Sequence, residues 1–112
     1  MRIKKTSQYM EGGINIETGS NNNGYYIKYS NGDLICYNST SITNSWNTLT
    51  YPVEFISPPI ITTGLNSGTA ETSTMALIKT SNIGNTTFRI CRVLSSGYDN
   101  GNIDYIAIGK WK

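Results

Sequence analysis

The apolar residues of this chain come in short runs that alternate with polar ones, and no stretch longer than a turn or two carries helical spacing. The clearest run, Thr86 to Leu94, sets Phe88, Ile90 and Arg92 on one face and Arg89, Cys91 and Val93 on the other. Tyr25 to Tyr29 and Asp33 to Tyr37 flank Asn31-Gly32, the dipeptide that most readily supplies two positive φ values for a two-residue hairpin turn. Pairing outward from that turn sets Tyr29 opposite Leu34, Ile27 opposite Cys36 and Tyr26 opposite Tyr37. One face then carries Ile27, Tyr29, Leu34 and Cys36, and the other Tyr26, Lys28, Ile35 and Tyr37. Neither face is polar, so the hairpin is either covered twice within the domain or packed against another copy of it.

The last run, Ile103 to Trp111, is apolar on both faces, with Ile106 and Ile108 opposing Tyr105, Ala107 and Trp111, which predicts a central strand. Shorter strands are expected around Ile14 to Glu17, at Thr50 to Ile56, Ile60 to Leu65 and Ser73 to Thr80. Loops are expected at Ser20 to Gly24, residues 38–50, Asn66 to Thr72, Asn82 to Asn85 and Ser95 to Asn102. Seven or eight short strands separated by turn signals predict an all-β fold, an antiparallel β-sandwich. All three prolines, Pro52, Pro58 and Pro59, fall between Tyr51 and Ile61. Proline has no N–H for a sheet ladder, so Pro58-Pro59 reads as a stiff corner between two extended segments.

Composition agrees with this reading, since Ser, Thr and Asn make up about a third of the chain and eight Tyr dominate its aromatics. The length of 112 residues allows one domain. Residues 1–23 read as a linker or neck, and residues 24–112 as the hairpin plus the sandwich. A net charge of +2, partly from Arg2, Lys4 and Lys5, gives no clustered basic face for nucleic acid. No apolar run reaches the roughly 20 residues of a membrane-spanning helix, and the first residues lack the apolar stretch of a secretion signal. The expectation is therefore a chain made in a cytoplasm, with no membrane insertion. Cys36 and Cys91 are either two free buried thiols or one bridge, with free thiols favoured for intracellular assembly.

The chain contains no histidine. That removes the usual general base, the Ser-His and Cys-His nucleophile pairings and the commonest metal ligand, so neither an enzyme nor a cofactor or metal site is expected. Asp99 and Asp104 read as loop solvation and turn capping rather than as a catalytic carboxylate pair. What remains is surface binding. Trp46, Tyr98 and Trp111 are aromatics in loops or near a strand end, with Asn44, Asn47, Asp99 and Asn100 nearby in sequence. Flat aromatic faces beside amides and carboxylates suit a pyranose, which offers an apolar face and a ring of hydroxyls.

From Phe55 to Trp111 the chain resembles the H-type lectin domain. The likeness rests on Phe55-Ile56-Ser57-Pro58-Pro59-Ile60-Ile61, Gly64-Leu65, Asn85-Thr86-Thr87-Phe88 and Tyr105-Ile106-Ala107-Ile108-Gly109. The hairpin from Asn23 to Tyr37 resembles the segment that precedes such a domain in C-terminal parts of phage tail-fibre proteins. The resemblance implies a β-sandwich of about six core strands, preceded by the hairpin and assembled as a parallel trimer. Sugar-binding members contact their ligand through an arginine on the middle strand and a Trp-His pair after the Phe-containing strand. Met75 stands in place of the former, and Ser95 and Ser96 in place of the latter, so that site is not carried over. The candidate ligand-binding set is instead Asn44, Trp46, Ser95, Tyr98, Asp99 and Asn100, from the loop from Ser95 to Asn102 and the loop around Trp46 of the next subunit. The expected role is a non-enzymatic, homotrimeric tail-fibre tip in the virion, bound to other phage tail proteins and recognising a host cell-surface glycan. The alternatives are a trimerisation or capping domain without a ligand, and a bacterial lectin of the same type.

Overall fold

The structure, a computed structural model, describes residues 7–9, 13–66 and 76–112. They form ten strands: β1 (Ser7–Tyr9), β2 (Asn15–Asn21), β3 (Gly24–Tyr29), β4 (Asp33–Ile42), β5 (Asn47–Thr50), β6 (Ile60–Leu65), β7 (Leu77–Ser81), β8 (Thr87–Leu94), β9 (Gly97–Asp99) and β10 (Gly101–Lys110). Six make a large sheet in the order β1-β2-β3-β4-β10-β6, and four make a small sheet in which β8 is flanked by β7 on one edge and by β5 and β9 on the other. Every pairing is antiparallel. The expected all-β sandwich is thus observed. β10 is central in the large sheet, as its two apolar faces required, and β8 is central in the small one. The hairpin β3–β4 does not stand ahead of the sandwich, because β4 pairs along the whole of β10, from Gly101↔Ile42 to Lys110↔Asp33.

That hairpin is shifted by one residue from the expected register. Its pairs are Tyr25↔Tyr37, Tyr26↔Cys36, Ile27↔Ile35 and Lys28↔Leu34. Only Gly32 in the turn takes a positive φ (107°), and its N–H donates to the Tyr29 carbonyl at 2.9 Å, so the chain closes around Ser30-Asn31-Gly32 instead of a two-residue loop. A one-residue slip exchanges the two faces. Tyr26 and Lys28 therefore join Leu34 and Cys36 on the inner face, while Tyr25 and Ile27 join Ile35 and Tyr37 outside. The shift also sets Tyr25 directly across from Tyr37, where the rings stack at 5.4 Å.

Three stretches read as loops are strand, residues 38–42, 47–49 and 97–99, the second of them in β5. Residues 38–42 continue β4 because β10 pairs with them throughout, and their outward hydroxyls bond across: Ser41 Oγ donates to Asn102 Oδ1 at 2.6 Å, and Ser39 Oγ donates to Asp104. Residues 97–99 form β9 on the edge of β8. Conversely, the strand expected from Thr50 to Ile56 ends at Thr50. From there residues 51–59 cross from the small sheet to the large one. Their backbone donors are divided between the layers: Tyr51 and Phe55 donate to the Thr86 and Asn85 carbonyls (3.0 and 2.9 Å), and Ile56 donates to the Lys110 carbonyl (2.9 Å). Of the strand read at Ser73 to Thr80, residues 73–75 lie outside the described residues, and β7 begins at Leu77.

The crossing segment fills the core. Tyr51 and Phe55 are buried, meet edge to face at 5.0 Å, and extend through Phe88 and Tyr105 into one aromatic cluster. Each such ring pair adds about 0.5–1.5 kcal/mol beyond its buried area. Leu34, Cys36, Ile42, Ile90, Ile103 and Ala107 complete the layer between the sheets. Gly109 is what lets Phe55 approach β10: a methyl group there would stand 2.9 Å from Phe55 Cδ1 and 3.3 Å from Pro59 Cβ. Cys36 and Cys91 are both buried free thiols, the first on the inner face of the large sheet and the second on the outer face of the small one.

Two outcomes follow from this core. Gly109→Val should lower the melting temperature measured by circular dichroism, because Phe55 and Pro59 must both move, whereas Gly64→Val, at a position open to solvent, should change it little. The second concerns alkaline pH. Burial pushes the Cys36 thiol from 9.0 up to about 11 and the Tyr51 phenol from 10.0 up to about 12, and it raises Tyr105 further. The folded state holds these protons more tightly than the unfolded chain, so their contribution is intact below pH 9 and is lost as pH rises through 11 and 12. Thermal melts should accordingly be flat with respect to these groups up to about pH 9 and fall steadily above it.

Candidate functional site

The side chains singled out from the sequence divide by how the small sheet places them. Along β8, Phe88, Ile90 and Arg92 point into the core, while Arg89, Cys91 and Val93 point outward. β5 and β9 lie end to end on one edge of β8, with Asn47↔Ile90 in one ladder and Arg92↔Asp99 in the other. Strand alternation therefore brings Trp46, which precedes β5, and Tyr98, which pairs with Val93, to the same outer face. Trp46 is half-buried with the Arg89 guanidinium over its ring at 5.0 Å, and Tyr98 is 51% exposed. An aromatic–cationic–aromatic surface of this kind can stack on a sugar ring and donate to its hydroxyls.

The loop carrying Trp46 is built around one amide. Asn47 Nδ2 donates to the Ser45 and Thr43 carbonyls (2.9 and 3.2 Å), and its Oδ1 accepts from the Thr43 N–H at 3.3 Å. Asn44 stands exposed at the tip of this loop. Asn100 follows β9 toward the same part of β8, whereas Ser95 lies in the turn at the other end of β9, away from Trp46. The set thus separates into Trp46 and Tyr98 on the outer face of the small sheet with Asn100 beyond β9, an exposed Asn44 at the loop tip, and an outlying Ser95.

Asp99 has a different task. Its carboxylate accepts from Arg92 Nη2 at 2.9 Å, while Nη1 of the same guanidinium donates to the Asn102 carbonyl at 2.9 Å. Arg92 is buried (4% exposed), so an acceptor fixed in place is what makes its charge tolerable. The pair fastens β9 to β8 and to the start of β10. Asp104 is not its neighbour in function, because it lies on the outer face of the large sheet, bonded to Ser39 and to Asn66 Nδ2. The two acids are each committed elsewhere. Among the described residues no three Cys, Asp or Glu side chains converge.

Sequence reasoning passed over Arg89, whose outward position on β8 was legible but whose stacking on Trp46 depends on β5 pairing alongside. It also left Arg92 without a partner, although an arginine alternating with Phe88 and Ile90 is itself a sign of a buried cation in need of a carboxylate. Met75, which occupies the lectin arginine's place in the resemblance, lies outside the described residues. Ser95 and Ser96, in place of the Trp-His pair, form the β8–β9 turn.

No protein-family model matches the sequence, and no curated protein does. Among solved structures, the chain is similar in fold to a C-terminal fragment of the R2 pyocin fibre of P. aeruginosa, with a TM-score of 0.68 at 14% sequence identity over 85% of this chain. The chain spans 26% of that fragment's length. At this identity the likeness is one of fold.

The division of labour among the candidates predicts a division among their variants. Asp99→Ala leaves a buried arginine without its carboxylate and should cost about 3 kcal/mol in chemical denaturation. Tyr98→Ala removes an exposed ring and should stay within about 0.5 kcal/mol of the parent protein.

Proposed function

We propose that this domain is a non-enzymatic tip of a phage-tail-type fibre, assembled as a homotrimer through the outer face of its large sheet and binding a host cell-surface carbohydrate with the outer face of its small sheet. The observation that carries the assembly is the character of that large face. Tyr25, Ile27, Ile35, Tyr37, Ile60, Ile106 and Ile108 lie side by side on it, with Ile60 77%, Ile108 51% and Ile106 46% exposed. Antiparallel sheets with one face in water alternate apolar-in and polar-out, whereas this part of the outer face is apolar as well, with Ser39, Ser41, Asn102 and Asp104 beyond it. A contiguous apolar surface of this kind is the mark of a surface meant to be covered. Likeness in fold to a fibre protein supports a second copy as the cover, and other tail proteins as the neighbours along the fibre.

The Trp46–Tyr98 face remains open in such an assembly, because it belongs to the opposite layer. With one copy in each chain, three weak sites on a rigid tip act together, so modest affinity per site suffices for adsorption. In this reading the protein is made in the host cytoplasm and resides in the virion tail.

Binding of the fluorescently labelled protein to host cells and to a glycan array tests the recognition half. Trp46→Ala and Tyr98→Ala should each weaken binding by tenfold or more with melting temperatures near the parent's. If the well-folded protein recognises no glycan and no cell, the domain caps and trimerises the fibre without a ligand.

A further inference from the structure

A second candidate site lies at the other end of the molecule, around Trp111. The residue follows β10 and is tied to the β3–β4 turn: its N–H donates to the Gly32 carbonyl at 2.9 Å and its indole Nε1 to the Tyr29 carbonyl at 2.7 Å. The indole is therefore fixed in place. Two ammonium groups lie over it, Lys28 Nζ at 4.2 Å from the ring centroid and Lys112 Nζ at 5.0 Å. Beside them opens a cavity of about 390 Å³, lined by Glu17, Lys28, Tyr29, Trp111 and Lys112 and by Asn15 and Ser30.

The charges are arranged unusually. Lys28 is the direct cross-strand partner of Glu17, and opposite charges so placed commonly pair. Here no ion pair joins them. Among the described residues the ion pairs are Arg92–Asp99 and Lys110–Asp33, the latter also lowering the Asp33 carboxyl through the Lys110 hydrogen bond. The Lys28 ammonium lies over Trp111 instead, and the Glu17 carboxylate accepts from the Tyr26 hydroxyl at 3.5 Å. Two cations with no carboxylate partner among the described residues thus share one aromatic ring beside a cavity of ligand size. A cation–π contact leaves the ammonium's N–H donors free toward the cavity side, where an anion gains charge-assisted hydrogen bonds from both.

We propose that this cavity is a binding site for an acidic sugar, with the sugar's carboxylate held between Lys28 and Lys112 and its hydroxyls turned to the amide and hydroxyl groups of Asn15 and Ser30. Glu17, on the same wall, repels a second negative charge and so limits the site to one anionic group. The site is separate from the Trp46–Tyr98 face, and neither depends on the other.

The test is a titration of the ¹⁵N-labelled protein at low salt and matched ionic strength with D-glucuronate, D-glucose and acetate, following the two indole N–H signals. Trp46→Phe assigns them. Glucuronate should shift the Trp111 signal saturably, and glucose and acetate should not at the same concentration. Lys28→Gln should weaken glucuronate binding about tenfold, the equivalent of about 1.4 kcal/mol, and Glu17→Gln should strengthen it, an effect that loss of structure would not produce. An unmoved Trp111 signal, an equal shift with glucose or with acetate, or a Glu17→Gln variant that binds no better than the parent would each overturn the proposal. A glucuronate shift confined to Trp46 would overturn it too, while favouring the other face.

Discussion

A two-layer sandwich needs the chain to leave one sheet for the other without stranding buried backbone polar groups, and in this protein residues 51–59 meet that constraint. Pro52, Pro58 and Pro59 remove three donors that would otherwise need partners, and the donors of Tyr51, Phe55 and Ile56 are shared between the layers. The same segment inserts Tyr51 and Phe55 between the sheets, so the connection that joins the layers also packs them. Phe55 against Gly109 then fixes where the crossing meets β10, the central strand of the large sheet. Chain topology, aromatic packing and the order of strands are in this sense one arrangement.

From that arrangement the two outer faces acquire opposite characters. The core uses up the inward residues of β4, β8 and β10, leaving isoleucines and tyrosines outward on the large sheet and a mixture of aromatic, cationic and hydroxyl groups outward on the small one. The first composition suits burial against another protein surface, the second a hydrated ligand with one flat face. Arg92 and Asp99 stand between these roles. They hold β9 in place and with it the position of Tyr98.

Much of the fold was legible where the pattern is local. The alternation of Phe88, Ile90 and Arg92 against Arg89, Cys91 and Val93 is the observed division of β8, and the two-sided apolarity of Ile103 to Trp111 is the mark of a central strand. What could not be read depended on partners distant in sequence. Residues 38–42 are too polar to announce a strand, and become one because β10, some 60 residues on, supplies the ladder. The hairpin register turned on Asn31, which is as compatible with the three-residue turn observed as with the two-residue turn its identity suggests. Of the candidate residues, Trp46 and Tyr98 were chosen for their chemistry, and the strand pairings set them on one face of the small sheet. Asp99 was chosen for the same chemistry and proved to be claimed by Arg92, and the cluster at Trp111 required the chain's last strand to return beside the β3–β4 turn.

On the proposed assembly, copies of the same chain cover the apolar outer face of the large sheet. Sedimentation equilibrium at micromolar concentration should then give a single species of three times the protomer's 12.4 kDa, and a species of 12.4 kDa would rule the assembly out.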